Sequence, residues 1–230
     1  MRAARGRGGG TGAITPRQAR YPRDVSEFDR AIAFIDGTFA VALTLLITTL
    51  DIGDRRAAFA SLSALADAVG PQFIAFLVAF AVIAGYWLMH HRMVSSFVAL
   101  DTRTIVVNLF LLAAIVLLPF STDAVGDPGV ADLALPTVVM AINVAVVSSL
   151  YMLVWVSASG RALLDHTPDA RERRLTVIDG LTPAVVFLVS VPLACFVSPG
   201  LARLSWLSLL VVNPLVGTLT ARARRRGPRR

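Results

Sequence analysis

The sequence predicts an all-α integral membrane protein with six transmembrane helices and both termini on the cytoplasmic side. Three observations carry that reading. Hydrophobic residues make up 56% of the 230-residue chain, and mean hydropathy is +0.69. Six apolar stretches are each long enough to cross a bilayer, which takes about 20 mostly apolar residues. The arginines sort by connecting segment in a way that matches an even number of crossings.

The spans read as Ala31–Leu50, Gln72–Met89, Thr104–Thr122, Leu135–Ser157, Thr176–Ser198 and Leu201–Ala221. All 22 basic residues are arginine. They concentrate in the segment through Arg30, after span two (Arg92, Arg103), after span four (Arg161, Arg171, Arg173, Arg174) and after span six. The alternate connections hold only Arg55, Arg56 and Arg203. This is the positive-inside asymmetry.

Residues 1–25 read as a disordered, Arg- and Gly-rich cytoplasmic tail, residues 26–221 as the membrane domain and residues 222–230 as a second basic tail. Ser26 is the expected N-cap of the helix leading into span one. Between spans one and two, RRAAFASLSALADAVG suggests a short interfacial helix. The acidic stretch Asp123–Asp132, with Pro128 and Gly129, reads as a turn. The mixed-charge connection Ser159–Arg174 is expected to be partly helical. Pro183 and Pro192 predict a bend in span five. Ile35-Asp36-Gly37 recurs as Ile178-Asp179-Gly180, but the flanks do not sustain the match.

The net charge of +7 resides in topology determinants and tails. Anionic lipid headgroups are natural neighbours for such tails. Nothing supports nucleic-acid binding, which would need aromatic interleaving or a folded module. The single cysteine, Cys195, excludes an intrachain disulfide, and there is no Cys/His metal pattern. No nucleophile–base pair or phosphate loop appears, so an enzyme reading has no residues to rest on. No cofactor is implied.

Asp36 lies inside span one. A charge at the centre of a membrane helix costs about 2.5–3.5 kcal/mol on insertion scales, so it should face protein or water with a partner. Span two ends Trp87-Leu88-Met89-His90-His91-Arg92, and span three reaches Asn108 about one turn in. Asp36, His90, His91 and Asn108 are therefore expected at similar depth. They would form either a polar network at the inner mouth of a pathway or a clamp fixing span one against spans two and three. A proton relay through Asp36 and a histidine is a third reading, without a second, deeper acid to support it.

Span one carries Gly37, Val41 (or Ala40), Thr44 and Thr48 at intervals of three and four, hence on one face, with Leu43, Leu46, Ile47 and Leu50 on others. A small, Thr-bearing stripe either lines a permeation path or forms a close helix contact. The residues by themselves favour packing.

The run Arg30-Ala-Ile-Ala-Phe34-Ile-Asp36-Gly37, followed by an apolar, Thr-containing helix, resembles the first-helix signature R-x-x-x-F-S-D-G of the transmembrane protein 175 family. Trp87-x-x-His90-His91-Arg92, then Asp101, Asn108-Leu109 and Pro119-Phe120-Ser121-Thr122, resemble its second and third spans. The resemblance covers residues 28–125 and continues beyond them by hydropathy alone. It implies a six-span bacterial inner-membrane channel related to the lysosomal potassium channel, without a re-entrant selectivity loop. It implies a homotetramer whose first helices line one central pore for monovalent cations. Carried over by spacing, the lining positions are Val41, Leu45 and Thr48, with Thr44 adjacent. Arg30, Phe34, Asp36, Gly37, Trp87, His90, His91 and Asn108 would supply the signature and the bracing of the helix. Ile35 stands where the family has Ser, and Val41 and Thr48 are smaller or more polar than its usual Ile or Leu. The expected function is passive, potassium-favouring cation conduction. A proton-coupled secondary transporter using Asp36 and His90 is the alternative, and a non-conducting membrane scaffold is another.

Overall fold

The computed structural model describes residues 20–225. Of the tails expected at 1–25 and 222–230, residues 1–19 and 226–230 lie outside it. Six helical segments are long and apolar enough to cross a membrane: Ser26–Thr49, Gln72–Ser95, Thr102–Gly126, Ala134–Ser159, Ala170–Phe196 and Pro199–Ala223. The all-α, six-span architecture expected from the hydropathy is the one observed.

The chain enters through a short strand, β1 (Arg20–Pro22), paired antiparallel with β2 (Ala99–Asp101) in the connection between spans two and three. This corrects the expectation that residues up to 25 form a structureless tail. The segment is held by backbone pairing and by Arg23, which donates to the carbonyls of Ser95 (2.9 Å) and Phe97 (3.2 Å). A guanidinium thereby satisfies carbonyls left open where a helix ends.

Helix α1 (Ser26–Leu45) follows. Ser26 is not its cap. Val25 occupies that position and offers no side-chain acceptor. Glu27 and Asp29 in the first turn instead complement the helix dipole. A 3-10 turn, Leu46–Thr49, completes the span. The chain then reverses at Gly53, whose φ of 59° is a left-handed value suited to glycine. Asp54 caps the short α2 (Arg55–Ala58), and Ser61 caps α3 (Leu62–Ser95).

Helix α3 has 34 residues, about 51 Å at 1.5 Å per residue. The interfacial helix expected over residues 55–70 is split: α2 takes its start, and the rest is the continuous first part of α3. Asp101 caps α4 (Thr102–Val116) by accepting the Thr104 amide at 2.8 Å. Span three is completed by α5 (Leu118–Gly126), which restarts just ahead of Pro119.

Helix α6 (Ala134–Ser159) is span four. Helix α7 (Ala170–Phe196) begins six residues before the expected start of span five, because Asp169 caps it through the Glu172 amide at 2.7 Å. It runs through both Pro183 and Pro192. Span six is built from α8 (Pro199–Ser205), a 3-10 turn and α9 (Leu209–Arg225).

Spans three and four are the most buried, and span six is the least. Helix α1 packs on α3, α4 and α5, while α6 joins α4 and α5 to α7. The core beneath α1 is made by Phe28, Ile35, Phe39, Ala42 and Leu46.

Candidate conduction path and its bracing

The buried positions of α1 leave a complementary face without a partner in the single chain. Phe34 is 60% exposed, Val41 54% and Leu45 40%. Gly37, Thr44 and Thr48 are exposed as well. Residues 34, 37, 41, 44 and 48 alternate intervals of three and four, so they form one stripe along the helix. Ile47 is also exposed, which makes the uncovered surface wider than the stripe. Helical spacing puts Val41, Thr44 and Thr48 together and the resemblance adds Leu45; the structure sets all four on this outward side.

The threonines on this side have a defined polarity. Thr44 donates its hydroxyl to the Val41 carbonyl at 2.8 Å, and Thr48 donates to the Leu45 carbonyl at 2.7 Å. Both hydroxyl hydrogens are used within the helix, so the exposed oxygens offer lone pairs. Such a surface suits cations better than anions.

On the opposite side, the indole N–H of Trp87 donates to Oδ1 of half-buried Asp36 at 3.0 Å. The Trp87 ring in turn stacks on His91, with centroids 5.5 Å apart. The hydrogen-bond partner of Asp36 is therefore Trp87, and not His90, His91 or Asn108, which were expected at its depth. Trp87 and His91 are four residues apart on α3 and share a face. His90 projects elsewhere, against the Phe39 ring at 5.8 Å. It is 1% exposed, and neither ring nitrogen has a hydrogen-bond partner. Asn108 bonds within its own helix, donating to the Thr104 carbonyl at 2.9 Å, and its Oδ1 has no partner. Arg30 is exposed and makes no hydrogen bond or ion pair among the described residues.

A second polar centre fastens the connections at this end of the bundle. Buried Asp101 accepts the Thr104 amide and pairs with the Arg161 guanidinium. Arg20 donates to the Arg161 carbonyl, which ties β1 into the same cluster. Burial disfavours the Asp101 charge, but the Thr104 bonds and Arg161 outweigh it and hold the carboxyl below its ordinary range. Nearby, His166 contacts Asp165 (2.8 Å) and Glu172 (3.2 Å), and those two carboxylates raise its pKa.

Several inter-span hydrogen bonds escaped the sequence reading. Tyr86 and Ser148 share a buried bond of 2.7 Å, Tyr151 donates to the Met89 carbonyl at 2.7 Å, and Asn143 donates to Ser121 at 3.0 Å. Tyr and Ser inside apolar spans are the available signal, but the pairing needs the fold. Among the described residues, no group of three or more His, Cys, Asp or Glu side chains is placed to hold a metal ion.

The known proteins that this chain resembles are channels. Residues 30–119 match the family model described as endosomal/lysosomal potassium channel TMEM175. A potassium channel of Streptomyces collinus is 28% identical over 76% of this chain and 86% of its own length. A potassium channel of Chamaesiphon minutus is 32% identical over 44% of this chain and 51% of its own. The crystal structure of a lysosomal potassium-selective channel TMEM175 homologue from Chamaesiphon minutus shares the fold. Its TM-score is 0.67 at 22% identity, covering 85% of this chain and 99% of that one. A variant of the potassium channel MtTMEM175, solved with a nanobody fusion, matches with a TM-score of 0.61 at 17% identity over 91% of this chain and 99% of that one. The signature residues lie inside the segment that matches this family model, and the six spans share the fold of those solved channels.

Proposed function

We propose that the protein is a potassium-favouring cation channel of the bacterial inner membrane. Four copies assemble around a central pore lined by α1, with both termini in the cytoplasm. The observation that carries this reading is the uncovered stripe of α1. Phe34, Val41, Thr44, Leu45 and Thr48 are exposed in one chain, although the helix is packed on its other side by three neighbours. Fourfold closure would turn that stripe inward. Val41 and Leu45 would then supply apolar narrowing, while Thr44 and Thr48 would present oxygen lone pairs to a partly dehydrated cation.

Passive conduction requires no cofactor and no catalytic group. The Asp36–Trp87 bond supports a bracing role for Asp36. It also speaks against proton coupling through an Asp36–His90 pair, since the acid is engaged by a group that does not titrate. The relatives named as potassium channels support the choice of ion.

Reconstitution in liposomes tests the proposal. Potassium and sodium flux are compared under an imposed gradient, with and without a protonophore. Electrogenic potassium flux that needs no proton gradient is the expected result. Flux that collapses with the proton gradient would favour a transporter. Folded, oligomeric protein with no flux would favour a scaffold.

A further inference from the structure

The geometry points to a binding site for the headgroup of an anionic phospholipid in the cleft between α6 and α7, built around Arg173 and Arg174. A cavity of about 590 Å³ opens there. Its wall is apolar at Val156, Pro168, Val177 and Ile178 and basic at Arg173 and Arg174. Val156 lies in the last turn of span four, and the arginines lie in the first turns of the helix that forms span five. The cleft therefore sits where two spans leave the hydrocarbon. There a ligand must be anionic at one end and oily at the other.

The arginines have unused donor capacity. Nε of Arg173 is buried without a hydrogen-bond partner. Arg174 is exposed and makes no hydrogen bond or ion pair among the described residues. The acids in the same turn are already engaged. Asp169 accepts the Glu172 amide, and Glu172 faces His166. A guanidinium offers five donors in a planar fork that fits a phosphodiester. Arg173 also reaches toward Gly160 at the end of α6, where a Cβ would stand 3.9 Å from its Nη2. A phosphate held here would be gripped across both helices. The apolar wall would take the glycerol and the first methylenes of the acyl chains.

Basic pockets between membrane helices are suited to acidic headgroups, and each arginine near a charged surface contributes about fivefold in affinity. The Ser157 hydroxyl, buried without a partner one residue beyond Val156, is a further unmet polar group at this level.

Native mass spectrometry of the purified full chain, released from micelles doped with phosphatidylglycerol or with phosphatidylcholine of the same acyl chains, tests the site. Arg174→Gln and the double variant Arg173→Gln/Arg174→Gln are compared with Arg103→Gln as a control. Retained phosphatidylglycerol should fall about fivefold in the single variant and further in the double, with the control unchanged. Arg174→Gln removes an exposed side chain, so it keeps the test valid even if the double variant folds poorly. Equal retention of phosphatidylglycerol by Arg174→Gln and wild type would overturn the proposal. So would equal retention of phosphatidylcholine, or displacement of the lipid by inorganic phosphate alone, which would mark a free-anion site.

Discussion

The indole of Trp87 donates to the carboxylate of Asp36 across 3.0 Å, and this bond joins the first span to the second. It explains how an acid is tolerated within a membrane helix whose other face is uncovered. The indole satisfies one carboxylate oxygen, and the Trp87–His91 stack fixes the ring that donates.

Trp87→Phe keeps an aromatic ring but removes the donor. It should destabilise the fold by about 1–3 kcal/mol, the cost of leaving a half-buried acceptor unmet. Asp36→Asn keeps an oxygen that can accept and should cost less. Denaturation by sodium dodecyl sulfate in mixed micelles gives both values. In the channel reading, Asp36→Asn also retains potassium flux in liposomes.

Tyr86 and Ser148 form a buried pair at 2.7 Å between α3 and α6. Tyr86→Phe and Ser148→Ala should show a coupling of about 0.6 kcal/mol in a double-mutant cycle, the average for hydrogen bonds between membrane helices. Additive losses would mean the hydroxyls contribute independently.

Gly126 lets α5 approach α3. A Cβ at this position would stand 2.9 Å from the Ala75 Cβ, which has no flexible end to move aside. Gly126→Ala should therefore cost about 1–3 kcal/mol from overpacking. Adding Ala75→Gly should recover much of that loss in the same denaturation assay.

The Asp101–Arg161 pair makes a pH-dependent contribution. The folded carboxyl titrates below its unfolded value of about 3.9. Its stabilisation is therefore present above that value and is lost as pH falls through the folded pKa. Asp101→Asn should raise hydrogen exchange at the paired β1 and β2 amides at neutral pH. Wild type and variant should converge only as pH falls through the folded carboxyl's lowered pKa. A difference that persists unchanged there would assign the effect to the amide substitution itself.

The spans were legible because their signal is compositional. Helix ends were less so, since caps depend on local competition. Ser26 has a capping side chain, yet Val25 takes the cap position; Asp169 caps α7 and starts it early. The stripe of α1 was readable from the intervals between Gly37, Val41, Thr44 and Thr48, because helical periodicity assigns faces directly. The partner of Asp36 was not. Depth placed His90, His91 and Asn108 beside it, but depth does not fix the direction of a side chain. Rotation of α3 decides that Trp87 meets Asp36 while His90 meets Phe39. Residues 20–22 were assigned to the tail because a three-residue strand has no periodicity to detect.

Cysteine accessibility along α1 tests the central claim most directly. In a Cys195→Ala background, Val41→Cys, Thr44→Cys and Thr48→Cys are compared with Ala42→Cys, whose position is fully buried against the core. Each variant is reconstituted and treated with a cationic, membrane-impermeant thiol reagent while potassium flux is followed. The account predicts that the three stripe positions react from water and that their modification cuts flux toward the protein-free level, with Ala42→Cys unaffected. Stripe thiols that react only with lipid-soluble reagents, or whose modification leaves flux unchanged, would contradict it.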